Sequence, residues 1–394
     1  MRRRVLAAAA AATCAVLAAC TPPPATGGTT STTTTTAPGD PASPVISAFN
    51  ASGNGAPAPV ASALTWTISD PGGLPLICRV DTDGNGSTDL TVAPCTSDSV
   101  RTVNVPTAGT RTFTLTVDNG TAPPTVATAS INAGVAAAET FDIDLQFVGT
   151  FTPVRTAAFQ AAAARWSQVI HAGLPNLSLS YPAAGCGADA PAFNGVIDDL
   201  TIVAAVVPID GPSNVLASAG PCYFRTASGL ALAGSMSFDV ADIDALEASG
   251  DLVDVVTHEM AHVLGFGTLG GWSSNLAGPG TPGVSFTGVR ARGAWQELGG
   301  SGAVPVENNG VPGTTDSHWR ESTFGAELMT GYTSNGPDPL SRLTIAALGD
   351  FGYSVDLAAA DAYSLPGPAV RSGPARPPAE PFREVLLRPV GGVG

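Results

Sequence analysis

Two spacings of apolar residues divide the chain. Between about 42 and 134 the pattern alternates, as in Leu64-Thr65-Trp66-Thr67-Ile68 and Thr112-Phe113-Thr114-Leu115-Thr116-Val117, and Pro and Gly interrupt it repeatedly. A period of two with regular turn signals predicts short strands with one buried face, hence a small all-β sandwich. Beyond Gly134, residues 141–147 alternate as one more half-buried strand, and then the spacing lengthens. Phe159, Ala163, Trp166 and Ile170 fall on one face of a helix predicted over 153–171, with Pro153 near its start and Gly173 after its end. Strand-like runs follow at 199–207 and 230–238, and then a helix over about 251–264.

The ends read differently. Arg2, Arg3 and Arg4 precede an apolar run that is too short and too Ala-rich for a membrane span, which is the layout of an export signal. Its end, Leu17-Ala18-Ala19-Cys20, resembles the lipobox of bacterial lipoproteins, which implies removal of residues 1–19, a lipid on Cys20 and an exported chain anchored to the cell membrane only through that lipid. Residues 20–41 are Thr, Pro, Gly and Ser with no apolar set to make a core, so they are expected to form an extended tether. Residues 366–394 are again rich in Pro, Gly and Arg and are expected to fray as a disordered tail.

With 394 residues and 44% hydrophobic composition, two folded units plus linkers are the natural division. The formal charge of -15 excludes a nucleic-acid partner, which needs a basic face. Of the six cysteines, Cys14 would leave with the signal and Cys20 would carry the lipid, leaving Cys78, Cys95, Cys186 and Cys222. In an oxidising compartment these suggest two disulfides, most simply Cys78 with Cys95 and Cys186 with Cys222, although three pairings are open. Asp81, Asp83, Asn85 and Asp89 place side-chain oxygens at alternate positions of a tight loop, a candidate calcium site that is not an EF-hand, or else a metal-free Asx turn.

The candidate chemistry is concentrated in His258-Glu259-Met260-Ala261-His262. Positions i and i+4 share one face of a helix, so both imidazoles can reach one zinc ion, with Glu259 beside them. Zinc at such a site acidifies its water towards a pKa of ~7, and a neighbouring carboxylate takes the proton as a carbonyl is attacked. Gly265 then offers the left-handed conformation that lets the chain turn back beneath the metal.

The run from His258 to Phe266 resembles the HExxHxxGF opening of the metzincin pattern. The compact metzincins place a third His where this chain has Thr268, whereas the leishmanolysin-like peptidases displace it by a long insertion. Ser317-His318-Trp319-Arg320-Glu321 and Ala326-Glu327-Leu328-Met329-Thr330-Gly331 resemble that family's third-ligand segment and Met-turn. The resemblance, over roughly 141–363, implies His318 as the third zinc ligand and Met329 as a packed base under the metal. Tyr332 stands three residues after Met329 rather than two and is not assigned to the metal. The fold expected is α+β: a metzincin-like catalytic domain over 135–365, with a twisted sheet and an active-site helix, after an immunoglobulin- or PKD-like sandwich over 42–134. Metzincin architecture makes 231–238 the expected edge strand for pairing with substrate, and 267–317 is expected to loop out over or beside the cleft.

Other residues take quieter roles. His171 is expected to cap the end of its helix, and Asp251 and Asp254 to cap the active-site helix and face its dipole. No GxSxG elbow is present, and no His remains to serve a Ser or Cys nucleophile. The expectation is a monomeric zinc endopeptidase acting on protein or peptide. Its rivals are a surface adhesion or scaffold protein with a stabilising zinc, which needs a fourth protein ligand, and an amidase for small molecules.

Overall fold

The computed structural model describes residues 42–309, 313–333, 336–366, 380–381 and 383–394. The expected signal, Cys20 and the whole of the tether lie outside the described residues. Seven strands come first: β1 (Val45–Ala51), β2 (Val60–Ser69), β3 (Leu76–Asp81), β4 (Leu90–Cys95), β5 (Val100–Val105), β6 (Gly109–Asp118) and β7 (Thr125–Ala133). They form two antiparallel sheets, ordered β1-β2-β5 and β4-β3-β6-β7, that share one core. On β6 the period of two is plain: Phe113, Leu115 and Val117 are buried, and the threonines between them are partly exposed. The Cys78–Cys95 disulfide ties β3 to β4 inside this core.

The loop from Asp81 to Asp89 is held by its own side chains. Asp81 accepts from the backbone N–H groups of Asp83, Gly84 and Gly86, and Asp89 accepts from the N–H and hydroxyl of Thr82. Asn85 Oδ1 accepts from the N–H of Ser87. Asp81, Asp83 and Asp89 do lie within 4.8 Å of one another. The Asx-turn hydrogen bonds nevertheless account for the loop, so of the two readings offered there the calcium site finds no support.

The second unit begins with β8 (Ile143–Gly149), α1 (Pro153–Val169), β9 (Leu177–Tyr181), β10 (Phe193–Ile197), β11 (Leu200–Val207), β12 (Ala217–Arg225), β13 (Ala231–Asp239), α2 (Ile243–Ser249) and α3 (Leu252–Leu264). The order β12-β13-β11-β8 makes a sheet in which β11 runs parallel to both β8 and β13, while β12 is antiparallel to β13. Helices α1 and α3 pack together beneath it, fastened where Trp166 Nε1 donates to Thr257 O at 3.0 Å. The Cys186–Cys222 disulfide anchors β12 to the loop between β9 and β10.

Strand β13 is interior, which corrects the expectation that 231–238 forms the edge. All nine of its residues are buried, and it is paired on both sides, so it has no free ladder to offer. Gly234 shows why: a Cβ there would meet Val263 Cγ1 at 2.3 Å, so small residues let α3 lie close against the sheet.

After α3 come α4 (Gly270–Ser273), β14 (Leu276–Ala277), β15 (Ser285–Phe286), α5 (Val289–Glu297), β16 (Val304–Pro305), α6 (Glu321–Phe324), β17 (Tyr332–Thr333), α7 (Arg342–Phe351), β18 (Glu380–Pro381), β19 (Glu384–Leu386) and β20 (Gly391–Val393). The stretch expected to loop out therefore contains a helix, and α5 docks on the sandwich. Thr102 Oγ1 donates to Arg290 O at 2.7 Å, Val100 N to Gln296 Oε1 at 2.7 Å, and Arg290 Nε to Ala61 O at 2.8 Å. Of the tail expected to fray, residues 367–379 and 382 lie outside the described residues, while β19 and β20 within 383–394 pair in parallel with β12 and extend the sheet. No helix among the described residues is long and apolar enough to cross a membrane.

Candidate metal centre

Helix α3 carries the first part of the site. Eleven of its thirteen residues are buried, from Leu252 to Leu264 apart from Val253 and Asp254, so its polar side chains face protein rather than water. It stops at Gly265, whose φ of 115° only glycine adopts at little cost, and whose N–H returns to the carbonyls of Ala261 and His262. Thr268, in the place where a compact metzincin has a histidine, instead donates its hydroxyl to His262 O at 2.7 Å and secures the turn.

His318 arrives from the far side of the stretch 267–317. Trp319 N–H donates to Met329 O at 2.9 Å, holding the third histidine beside the segment that contains the buried Met329. That segment is pinned by Glu327, which accepts from Met329 N–H at 2.7 Å and from the hydroxyls of Ser341 and Thr344 at 2.5 Å. Burial raises the Glu327 carboxyl above the usual range, partly offset by these donors.

The three imidazoles converge. Nε2 of His262 lies 3.0 Å from that of His258 and 3.1 Å from that of His318, and the His258–His318 separation is 3.1 Å. Each Nδ1 faces a backbone carbonyl: Leu328 at 2.7 Å from His258, Phe266 at 2.8 Å from His262 and Thr314 at 3.2 Å from His318. A carbonyl can only accept, so Nδ1 carries the hydrogen and Nε2 turns its lone pair to the common centre. Separations of this size are close to the roughly 3.3 Å between ligands bound tetrahedrally at about 2.05 Å.

A fourth group closes the ring. Glu384 of β19 is 4% exposed, with its carboxylate 2.9 Å from His318 Nε2, 3.4 Å from His262 Nε2 and 3.6 Å from His258 Nε2. Three lone pairs and a carboxylate facing one another repel unless a cation lies between them. The donor set therefore fits a divalent metal, and imidazole with one carboxylate suits zinc.

Glu259 lies beside this cluster with 0% exposure, and neither of its oxygens meets a hydrogen-bond donor among the described residues. Burial first, and then the charge of neighbouring Glu384, holds its carboxyl well above the ordinary range. Burial likewise pushes the His258 imidazole down, towards the neutral form that a metal requires.

The remaining sequence candidates stand apart. His171 does not cap α1: its N–H donates to Ser354 O at 3.1 Å, and its ring lies near Pro59 and Asp356 at the seam between the two units. Asp251 makes no side-chain capping bond, and Asp254 accepts from Asp338 N–H at 3.0 Å, tying α3 to the chain after the Met329 segment.

Residues 190–271 and 300–365 match the sequence model of the leishmanolysin peptidase family. The two matched segments are leishmanolysin-like. The match indicates a metalloprotease, and the family it describes is zinc-dependent with a metzincin-like domain. No curated protein and no solved structure matches the chain. The first leishmanolysin-like segment holds His258, Glu259 and His262, and the second holds His318 and Met329. The unmatched stretch between them contains α5, the helix that grips the sandwich. Glu384 lies beyond both segments, and sequence reading missed it. Its one signal was a short β-prone run, Glu384-Val385-Leu386-Leu387, inside a region otherwise rich in Pro, Gly and Arg.

Proposed function

We propose that this chain is a zinc-dependent endopeptidase in which His258, His262 and His318 hold the metal and Glu259 is the general base. The observation that carries the reading is the set of three Nε2 atoms at 3.0–3.1 Å with a buried carboxylate beside them that has no donor. Zinc there would polarise a peptide carbonyl and acidify a water molecule. The carbonyls of Leu328, Phe266 and Thr314 fix the three imidazoles in one tautomer, so no rearrangement is needed to bind the metal. Glu259 takes the proton of the attacking water and returns it to the leaving amine. Met329, fully buried on the segment hydrogen-bonded to Trp319, would serve as the apolar base under the metal.

Glu384 supplies the fourth protein group that a structural zinc takes, which bears on the adhesion or scaffold alternative. A structural site has no use for a second, donorless carboxylate at its side, so that alternative is not favoured. The same proposal places the protein outside the cell membrane, anchored through lipid on Cys20, with an immunoglobulin- or PKD-like sandwich as a rigid neighbour of the catalytic unit. Two disulfides support an oxidising compartment.

The test combines metal analysis with an unbiased peptide-library digest by the purified chain and by Glu384→Ala, each with and without Glu259→Gln. Expected are one zinc per chain, retained by Glu259→Gln, and cuts that this variant loses by about 100-fold to 10,000-fold. Equal cutting by the Glu259→Gln forms would exclude Glu259 as base. A metal-loaded chain that cuts nothing in either background would end the peptidase reading.

A further inference from the structure

With β13 interior, the sheet edge nearest the metal is β12, and that edge is filled by the chain's own C-terminus. Ala217, Ser218 and Ala219 pair in parallel with Glu384, Val385 and Leu386, and Tyr223, Phe224 and Arg225 with Gly391, Gly392 and Val393. Between the two ladders Leu387 N–H donates to Ala219 O at 2.8 Å, and Val390 N–H to Cys222 O at 2.7 Å. Gly220 makes room for this strand, since a Cβ there would sit 2.4 Å from Leu387 O. Arg388 Nη1 reaches across to Gly267 O at 3.0 Å, just past the turn that ends α3. His258, Glu259, His262 and His318 are all 0% exposed beneath it, so no peptide reaches the centre in this arrangement.

We propose that residues 383–394 are a built-in inhibitor of this site: they occupy the groove along β12 that an extended peptide would pair with, while Glu384 takes the fourth place around the metal. This rests on the peptidase reading. The occupied edge is what a peptide uses in strand addition, where backbone hydrogen bonds supply much of the affinity. The segment is not placed to be cut, because a side-chain carboxylate, and not a peptide carbonyl, addresses the imidazoles. Being part of the same chain, it acts at an effective concentration on the order of mM, so moderate intrinsic affinity keeps the site closed. Opening requires only that β19 and β20 leave β12, which frees one coordination position and the ladder together.

The test uses the full chain, loaded with zinc for turnover and with cobalt for spectroscopy, as wild type, Glu384→Ala and Arg388→Ala. Glu384→Ala should change the visible cobalt spectrum, and kcat/KM on a mixed peptide pool should rise at least ~10-fold. A synthetic peptide of residues 380–394 should inhibit that variant, and the same peptide carrying Glu384→Gln should inhibit it less. Arg388→Ala lies outside the metal ring and carries the comparison if Glu384→Ala fails to fold. It should speed amide exchange at Leu387 and Val390 and raise turnover. Wild type cutting as fast as both variants, with an unchanged cobalt spectrum, overturns the inhibitor and leaves the peptidase reading standing. A changed spectrum with no cutting by any form sinks the peptidase reading, and the inhibitor with it.

Discussion

Gly293 of α5 lies so close to Thr102 of β5 that a Cβ at 293 would stand 2.0 Å from the threonine Oγ1 and 2.8 Å from its backbone N. The two units meet there without a spacer, and Thr102 Oγ1 is already committed to Arg290 O. Gly293→Ala is expected to cost about 1–3 kcal/mol through overpacking, read as a lower urea midpoint. Thr102→Ala in the same chain should recover part of the loss by removing the nearest atom. An unchanged midpoint in Gly293→Ala would show that the seam yields freely.

Glu327 holds the Met329 segment against the start of α7 through four donors, two of them hydroxyls. Glu327→Ala leaves those buried donors without an acceptor and should cost about 3–5 kcal/mol. Since Leu328 O orients His258, the variant should also bind zinc about 10- to 100-fold more weakly. Thermal melting and competition with a chelator read the two effects separately. A large stability loss with untouched zinc affinity would uncouple this segment from the metal.

His318→Ala should strip zinc from the folded chain, whereas His171→Ala should leave metal content near wild type. Two imidazoles make a weaker site than the three protein ligands usual for catalytic zinc. Metal content per chain, measured after dialysis, decides it, and the reverse ranking would reject His318 as a ligand.

The two disulfides close loops of 17 and 36 residues, so removing each pair should cost about 3 and about 4 kcal/mol respectively on the chain-entropy account. Replacing Cys186 and Cys222 together should be the more damaging change, because it also frees β12 from the β9–β10 loop. Equilibrium unfolding of the two double variants gives the comparison, and the opposite order would contradict it.

Asp350 gives a pH-dependent signature. Burial raises its carboxyl to about 6, against the N–H groups of Ala291 and Arg290 and the Arg290 guanidinium. Between the ordinary value of 3.8 and about 6, the folded chain therefore holds more protons at this site than the unfolded chain. Its contribution to stability falls as pH rises through that window. Relative to Asp350→Asn, wild type should gain up to ~3 kcal/mol as pH drops from 7 to 4. Parallel stability curves for the two proteins would refute the shift.

What could be read from the sequence was local. His258, Glu259, His262 and Gly265 sit within one helix and its cap, where spacing alone fixes geometry. His318 was accessible because the chain has only four histidines. Strand 231–238 was visible as a strand, yet its place in the sheet depends on two partners and on a close helix, which alternation does not encode. The small residues Ala231, Ala233, Gly234 and Ser235 were the available sign of two-sided burial. Helix α5 was hidden by the Gly- and Pro-rich residues around it. Glu384 was beyond reach for a different reason: its partners are more than 60 residues earlier in the chain, and a parallel ladder leaves no turn between its strands to announce it.

The parallel strands on β12 also protect the molecule from itself. An open sheet edge is a template for another chain, and natural sheets cover, shorten or charge such edges to stay soluble. Strand β12 spans nine residues, six of them buried, and carries Gly220 where a side chain could otherwise obstruct docking. A chain shortened ahead of Glu384 would present that ladder bare, so clumping between molecules would accompany any change at the metal. Single substitutions within 383–394 loosen the segment without removing it, so the ladder is bared only in passing, and they are the cleaner way to separate solubility from chemistry in this protein.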